Sequence, residues 1–476
     1  MSGNVQGASE RYLMGNVQPE QNTDAWRILL FGRSGDALLV LRGERGFRLP
    51  ELRIPPCQRL APNLNAEAKR QWDLDTVCLM PLDVSDNGFP SGGRHHVMEV
   101  CQPDALSRVA PRFIQMSELK EDSFADPQDY EAVRRGIGLD QASLGEDNGP
   151  FCRFGAFTKI SAWVEEQLKP YELHWDGTFR QMQATAAFSL IRFQTNRGAV
   201  WFKATGEPNR REFPLTLEIA ARFPGYAPVL LATRPEWNAW LTFEAEGKDL
   251  WCFAEPDAWL QAADSLAGLQ IASTSCVQQI LDAGAHDARL DILLNKATSF
   301  FSAMEDIMET QAKPSPRRLS VAEIRHVQQR VVEALFEMGT VDVPDSLNHL
   351  DLNPGNVFVD SCKSTFLDWA EATVGNPFFS SEYLRQHFLK AVCTEQEKEQ
   401  SFLQSYVKRW SPILSGKAIE TTLRVLPLTA IYAFAASALP WQDPNLYCRH
   451  DIAAYFRSLV RRMFRESELL GRGRTP

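Results

Sequence analysis

Between His349 and Asp368 the chain sets three polar groups in a fixed order. Asp351 and Asn356 lie in His-Leu-Asp-Leu-Asn-Pro-Gly-Asn, and Asp368 lies in Phe-Leu-Asp-Trp. Moving a phosphoryl group asks little covalent chemistry of a protein. It needs a carboxylate to take the acceptor hydroxyl's proton, and hard oxygen ligands to hold Mg²⁺ against the phosphates. Asp351 suits the first task. Asn356, on a tight loop closed by Pro354 and Gly355, supplies a neutral oxygen ligand, and Asp368 a charged one.

The elements that must position these groups are short. Val357 to Asp360 reads as a buried strand, Ser361 to Ser364 as a turn, and Thr365 to Leu367 as a second strand that delivers Asp368 beside Asn356. A lone Asp-x-x-x-x-Asn is common, and loops rich in Asp, Asn, Pro and Gly are usually only turns. The full constellation is more specific. His349 before the first aspartate, Pro-Gly before the asparagine, Asp-Trp at the strand end, and Glu371-Ala-Thr-Val-Gly-Asn-Pro377 after it resemble the aminoglycoside phosphotransferase family of small-molecule kinases. Leu350 departs from the family, which usually has glycine there. Leucine disfavours positive φ, so the loop must differ locally.

The resemblance implies an α+β, protein-kinase-like fold, with a small antiparallel sheet lobe and a large helical lobe, using ATP and Mg²⁺. It implies a phosphate-binding lysine, a carboxylate partner for it, and a hinge strand. Phe188–Phe193 and Ala199–Ala204 read as strands around a turn at Asn196-Arg197-Gly198, and Lys203 ends the second of them. Phe213 to Ala221 reads as a helix with proline in its first turn, and its Glu218 is the expected partner of Lys203, with Glu212 a competitor. Trp240 to Ala245 resembles the hinge, where backbone groups of Phe243 and Ala245 would meet adenine. The loop expected over the phosphates, Gln183-Ala-Thr-Ala-Ala187, lacks glycine, so hydroxyls of Thr185 and Ser189 are the candidate substitutes.

Composition narrows the remaining classes. A chain of 476 residues with 44% hydrophobic content suits two or three packed domains. Nine cysteines without a Cys-x-x-Cys pair argue against structural zinc and a disulfide framework, and eight histidines show no metal-ligand pattern. His95 and His96, adjacent on a strand, would face opposite ways, and His349 reads as a scaffold hydrogen-bonder. A net charge of −10 disfavours nonspecific nucleic-acid binding. Met1 to Glu20 reads as a polar tail without signal-peptide order, and the apolar run Val425 to Trp441 as a buried helix. The expectation is a cytoplasmic enzyme with a hydroxyl-bearing small-molecule substrate and no nucleic-acid or membrane partner. Oligomeric state is not legible.

The first third follows another pattern. Strands at Trp26–Phe31 and Ala37–Leu41 flank a turn, a helix is expected over Asn65–Trp72, and Val97–Val100 forms a further strand. This order resembles a Nudix domain. A working Nudix helix clusters carboxylates for Mg²⁺, whereas here Glu67 and Asp73 are separated by basic residues, so a non-hydrolytic domain is expected. The resulting division is a tail (1–20), a Nudix-like domain (21–150), a connecting helix (151–175), a small lobe (176–250) and a large helical lobe (251–476). Two alternatives to an active kinase stay open, a nucleotide-binding pseudokinase and an interaction scaffold.

Overall fold

The computed structural model describes residues 23–32, 35–56, 59–84, 90–101, 113–138, 153–185, 187–361, 363–392, 396–447 and 449–472. The expected N-terminal tail, Arg33 and Ser34 of the first turn, Ala186 of the phosphate loop and Cys362 of the hairpin turn lie outside them. The described residues form two compact units. One holds the chain up to Phe213 together with Val229–Glu244, and the other holds Pro214–Pro228 and the chain from Ala245 on.

The first unit contains two sheets. The front one runs in the order Thr76–Val84, Pro90–Val100, Asp24–Phe31, Ala37–Leu39, Phe113–Gln115, with Glu51–Ile54 also paired to Asp24–Phe31. Asp24–Phe31 and Pro90–Val100 are parallel, and alternation sends their side chains to two cores. Trp26, Ile28, Leu30 and Met98 pack under the helix Leu60–Trp72, while Leu29, Phe31 and Val97 pack on the opposite face. His95 and His96 do face opposite ways. His95 lies 3.3 Å from Asp129, whereas the His96 ring sits edge-on to Trp26. On the front helix Glu67 is bound by Arg70 and Asp73 by Lys69, so neither carboxylate stands apart from a basic neighbour.

The second sheet is antiparallel throughout, in the order Leu230–Arg234, Ala239–Phe243, Gly198–Thr205, Phe188–Thr195, Trp175–Thr185. The expected division between a front domain, a connecting helix and a small lobe does not appear as a break in packing. The helix Ala156–Leu168 buries Phe157, Ile160, Trp163 and Val164 in one core with Leu29 and Phe31 of the front sheet and Ile191, Phe193 and Phe202 of the second. Its apolar stripe at 3.6-residue spacing, legible in the sequence, serves as a shared wall rather than a linker.

The other unit is mainly helical. Its long helices are Pro256–Ser273, Leu290–Glu309, Val321–Met338, Phe378–Ala391, Gln396–Trp410, Gly416–Ser437 and His450–Gly471. They enclose one core that includes Trp259, Phe300, Phe301, Met304, Tyr406 and Tyr432. Gly416–Ser437 is long and apolar enough to cross a membrane, yet it runs through Pro427 with Val425, Tyr432 and Ala436 buried in that core. Two small three-stranded sheets frame the catalytic-loop candidates. Lys248–Asp249, Val357–Val359 and Ser364–Phe366 make one, and His286–Ala288, Ala372–Gly375 and Ser346–His349 make the other.

Candidate active site

In the helical unit, the strand Ser346–His349 ends where the loop begins. The His349 amide donates to Ser380 Oγ at 2.8 Å, and Ser380 Oγ donates to Asn348 Oδ1 at 2.8 Å, which pins the strand to the helix Phe378–Ala391. The loop then folds on itself. The Asn353 amide donates to the Asp351 carbonyl at 2.7 Å, and the Asn353 side-chain oxygen accepts from the Gly355 amide at 3.1 Å, capping the single turn Pro354–Asn356. Leu350 is buried and is not among the positive-φ residues, so the loop accommodates leucine without left-handed backbone.

Asn356 is fully buried. Its amide nitrogen donates to the Asp351 carbonyl at 3.0 Å, which fixes the amide's orientation. Its Oδ1, turned the other way, is buried with no hydrogen-bond partner. An orphaned buried carbonyl costs about 1–3 kcal/mol, so such an atom points to a ligand.

Asp368 is brought to the same place by the hairpin, whose register pairs Val357 with Phe366. The Leu367 amide donates to the Asn356 carbonyl at 2.9 Å, and His349 Nε2 donates to the Leu367 carbonyl at 2.8 Å. Leu367, next to Asp368, is therefore held through both its amide and its carbonyl, and His349 serves as the expected scaffold group. Asp368 itself adopts φ +65° and ψ +69°, a left-handed conformation that aspartate tolerates at some energetic cost and that functional sites often hold.

Asp351 accepts a hydrogen bond from the Tyr383 hydroxyl at 3.3 Å. Its carboxyl is pushed up to about 7, first by burial and then by the negative charges of Asp368 and Glu371, against a smaller opposing pull from the Tyr383 hydrogen bond. A carboxyl with that affinity exchanges a proton near neutral pH, as a general base must. Tyr383, absent from the sequence reading, stacks near His387 and Phe434, with centroids at 5.1 and 5.6 Å. Burial holds the His387 imidazole down at about 4, so it is neutral at pH 7. Glu371 is close enough to perturb Asp351, whereas Asp443 caps its own turn by accepting from the Asn445 amide at 2.9 Å.

In the sheet unit, Lys203 is 5% exposed rather than a solvated strand-end charge. Its ammonium pairs with the buried Glu212 and lies 5.4 and 5.6 Å from the ring centroids of Phe188 and Trp240. This corrects the expected partner. Glu218 instead pairs with Arg222, one turn further along the same helix, Glu212–Arg222. Six residues at about 100° each turn a side chain roughly 120° away from the starting face, so one helix cannot aim both glutamates at the same lysine. Glu212→Gln, which strands a buried ammonium, should lower stability by about 3–5 kcal/mol in urea denaturation. Glu218→Gln should change stability by less than about 1 kcal/mol.

The hinge candidates are placed as follows. The Phe243 amide donates to the Val229 carbonyl at 3.0 Å, which engages it within the sheet. Glu244, next in the chain, is held by Arg192 at 2.7 Å and by the Trp201 indole at 3.1 Å. In the phosphate-loop candidate, Thr185 Oγ1 accepts from the Ala187 amide at 3.3 Å. The Thr185 hydroxyl, one of the two candidate substitutes for glycine, thus holds the Ala187 amide. Ser189 is buried.

Residues 210–379 match the model of the phosphotransferase enzyme family. The resemblance to the phosphotransferases therefore holds over this segment. The matched segment contains Glu212, Asp351, Asn356, Asp368 and Glu371. Lys203 and the first three strands of the antiparallel sheet, Trp175–Thr185, Phe188–Thr195 and Gly198–Thr205, precede the matched range. No curated protein matches the chain. Solved structures give distant likenesses. A macrolide 2'-phosphotransferase from Brachybacterium faecium is 16% identical, with 61% of this chain and 98% of that one covered at a TM-score of 0.40. The choline kinase of Streptococcus pneumoniae is 14% identical, covering 66% and 100% at 0.40, and an ethanolamine kinase of Plasmodium vivax is 12% identical, covering 76% and 93% at 0.43.

Proposed function

We propose that this chain is an ATP-dependent phosphotransferase that phosphorylates a hydroxyl of a small molecule. The observation that carries the reading is the loop Asp351–Asn356, which holds a half-buried carboxyl raised to about 7 and a buried amide oxygen that has no protein partner. A hard divalent cation fits these residues. Asn356 Oδ1 and the Asp368 carboxylate are both oxygen donors, and a site with so few protein ligands leaves coordination positions for phosphate oxygens and water, as Mg²⁺ prefers. Among the described residues there is no group of three or more His, Cys, Asp or Glu side chains that could hold a metal by themselves. When bound, the cation would neutralise charge on the phosphate oxygens during transfer.

The chain's own groups have separate tasks in this reading. Asp351 accepts the proton of the acceptor hydroxyl and orients its oxygen for in-line attack, with Tyr383 holding the carboxylate. His349 and the Leu367 peptide keep Asp368 in its left-handed conformation. Lys203, pre-aligned by Glu212, binds the nucleotide phosphates, and backbone groups of the segment from Phe243 to Ala245 meet adenine. Binding energy directed at charge that develops in the transition state is what such an arrangement supplies.

A direct test is to follow ATP consumption across a library of small hydroxyl compounds, with thermal-shift titration of ATP and Mg²⁺ alongside. Stabilisation by nucleotide with Mg²⁺-dependent turnover of at least one acceptor is expected. Stabilisation without turnover of any acceptor would favour a nucleotide-binding pseudokinase, and no stabilisation would favour a scaffold.

A further inference from the structure

The side chain of Gln181 ties the strand that leads to the phosphate-loop candidate to the front sheet. Trp175–Thr185 is the edge of the antiparallel sheet, and Thr76–Val84 is the edge of the front sheet. Gln181 joins the two edges. Its Oε1 accepts from the Cys78 amide at 2.7 Å and its Nε2 donates to the Cys78 carbonyl at 2.9 Å, so a side-chain amide takes the place of a neighbouring strand's peptide. Asn65, on the front helix, donates to the same Oε1 at 3.1 Å and accepts from Thr76 Oγ1 at 3.1 Å.

Both edges are irregular at this point. The register shifts between Cys78 and Met80 in one strand, and opposite Leu190 and Ile191 in the other, between Gln183 and Gln181. Bulges re-aim side chains, and Gln181 beside this one is buried, 5% exposed, with two hydrogen bonds accepted by its oxygen and one donated by its nitrogen. Three residues on, Ala184 packs against the core beneath the front helix. The strand then enters the Thr185 turn and reaches Phe188, whose ring lies beside the Lys203 ammonium.

From this arrangement we infer that Gln181 is a positioning residue for the nucleotide phosphates, and that the front domain acts as a clamp on the glycine-free loop. The inference rests on the phosphotransferase reading. A glycine-rich loop gains close approach to phosphates through backbone freedom. This loop lacks that freedom, so its position is set in advance by a rigid neighbour. Ordering the strand before nucleotide arrives removes an entropic cost from binding, which lowers the dissociation constant without touching the chemistry. The front domain thereby takes part in nucleotide affinity although it supplies no group to the reaction.

The test uses the full chain with Gln181→Met, which keeps volume and loses all three hydrogen bonds, and Asn65→Ala, which loses only one of them from Gln181. Hydrogen exchange at Thr185–Ser189 and the dissociation constant for ATP with Mg²⁺ are measured for each. For Gln181→Met, exchange in that segment should quicken and the dissociation constant should rise about tenfold, while amides of Ile28–Leu30 keep their protection. Asn65→Ala should move both readouts in the same direction by less. Once an acceptor is known, kcat at saturating ATP should stay within about twofold while the KM for ATP rises. Unchanged exchange and affinity in a folded Gln181→Met protein would overturn the inference, as would loss of protection at Ile28–Leu30 in step with the loop, which is the mark of general unfolding. If the unmodified chain binds no nucleotide, the phosphotransferase reading fails. The exchange difference at Thr185–Ser189 still decides whether the clamp exists.

Discussion

Asp351→Asn is expected to abolish measurable turnover while leaving nucleotide affinity within about threefold, because in the proposed function this group acts on the acceptor and not on ATP. General-base contributions run to about 10²–10⁴ in rate, so a rapid-quench or coupled assay of ATP consumption should see kcat fall by at least the lower figure. The same substitution should stabilise the protein. Burial and the charges of Asp368 and Glu371 raise the Asp351 carboxyl from 3.8 to about 7. A carboxyl raised in the folded state binds more protons there than in the unfolded chain. Its contribution to stability is therefore complete below about pH 4 and is lost as pH climbs through 7. Asparagine carries no such charge, so in Mg²⁺-free buffer the variant should gain on the order of 2–4 kcal/mol at pH 8 and little at pH 4. Urea denaturation at the two pH values checks this. A variant that lost stability equally at both would mean that Asp351 is a packing residue, and the catalytic assignment would fail with it.

How much of this was legible beforehand depended on whether the signal was local. The order Asp351, Asn356, Asp368 is contained in one loop and one hairpin, and the backbone hydrogen bonds that join them lie within the same short stretch. The start of the helix Val321–Met338 is marked locally by Ser320 and Glu323, which form a capping box. Glu212 and Glu218 were harder. Both lie on one helix, and only the direction from which Lys203 approaches decides between them. Tyr383 carries a helical apolar pattern like its neighbours, and its hydroxyl contact spans thirty-two residues. The merged core of the first unit was least accessible. The stripe on Ala156–Leu168 announces an apolar partner but does not say that two sheets share it. Gln181 looks like an ordinary polar residue on an edge strand, and its significance comes from Cys78, 103 positions earlier.

Asp368→Asn is the second change with a large expected effect, and its backbone conformation makes it a clean one. Asparagine accepts left-handed φ about as readily as aspartate, so φ +65° at this position remains available and the hairpin should fold. What changes is charge. A neutral amide in place of a carboxylate weakens attraction for a divalent cation, and beside the Asn356 amide it leaves a pair of neutral ligands. ATP with Mg²⁺ should then bind at least tenfold more weakly, whereas ATP measured in chelator should bind both proteins alike. The substitution also removes the second-largest cause of the raised Asp351 carboxyl, which should move down towards the ordinary carboxylate range. These two consequences have opposite signs. Cation-dependent nucleotide binding falls while the acceptor-side base becomes more readily ionised, so the pH profile of any residual turnover should shift to lower pH as its amplitude drops. A drop in amplitude with no shift would place Asp368 too far from Asp351 for the two to share one site.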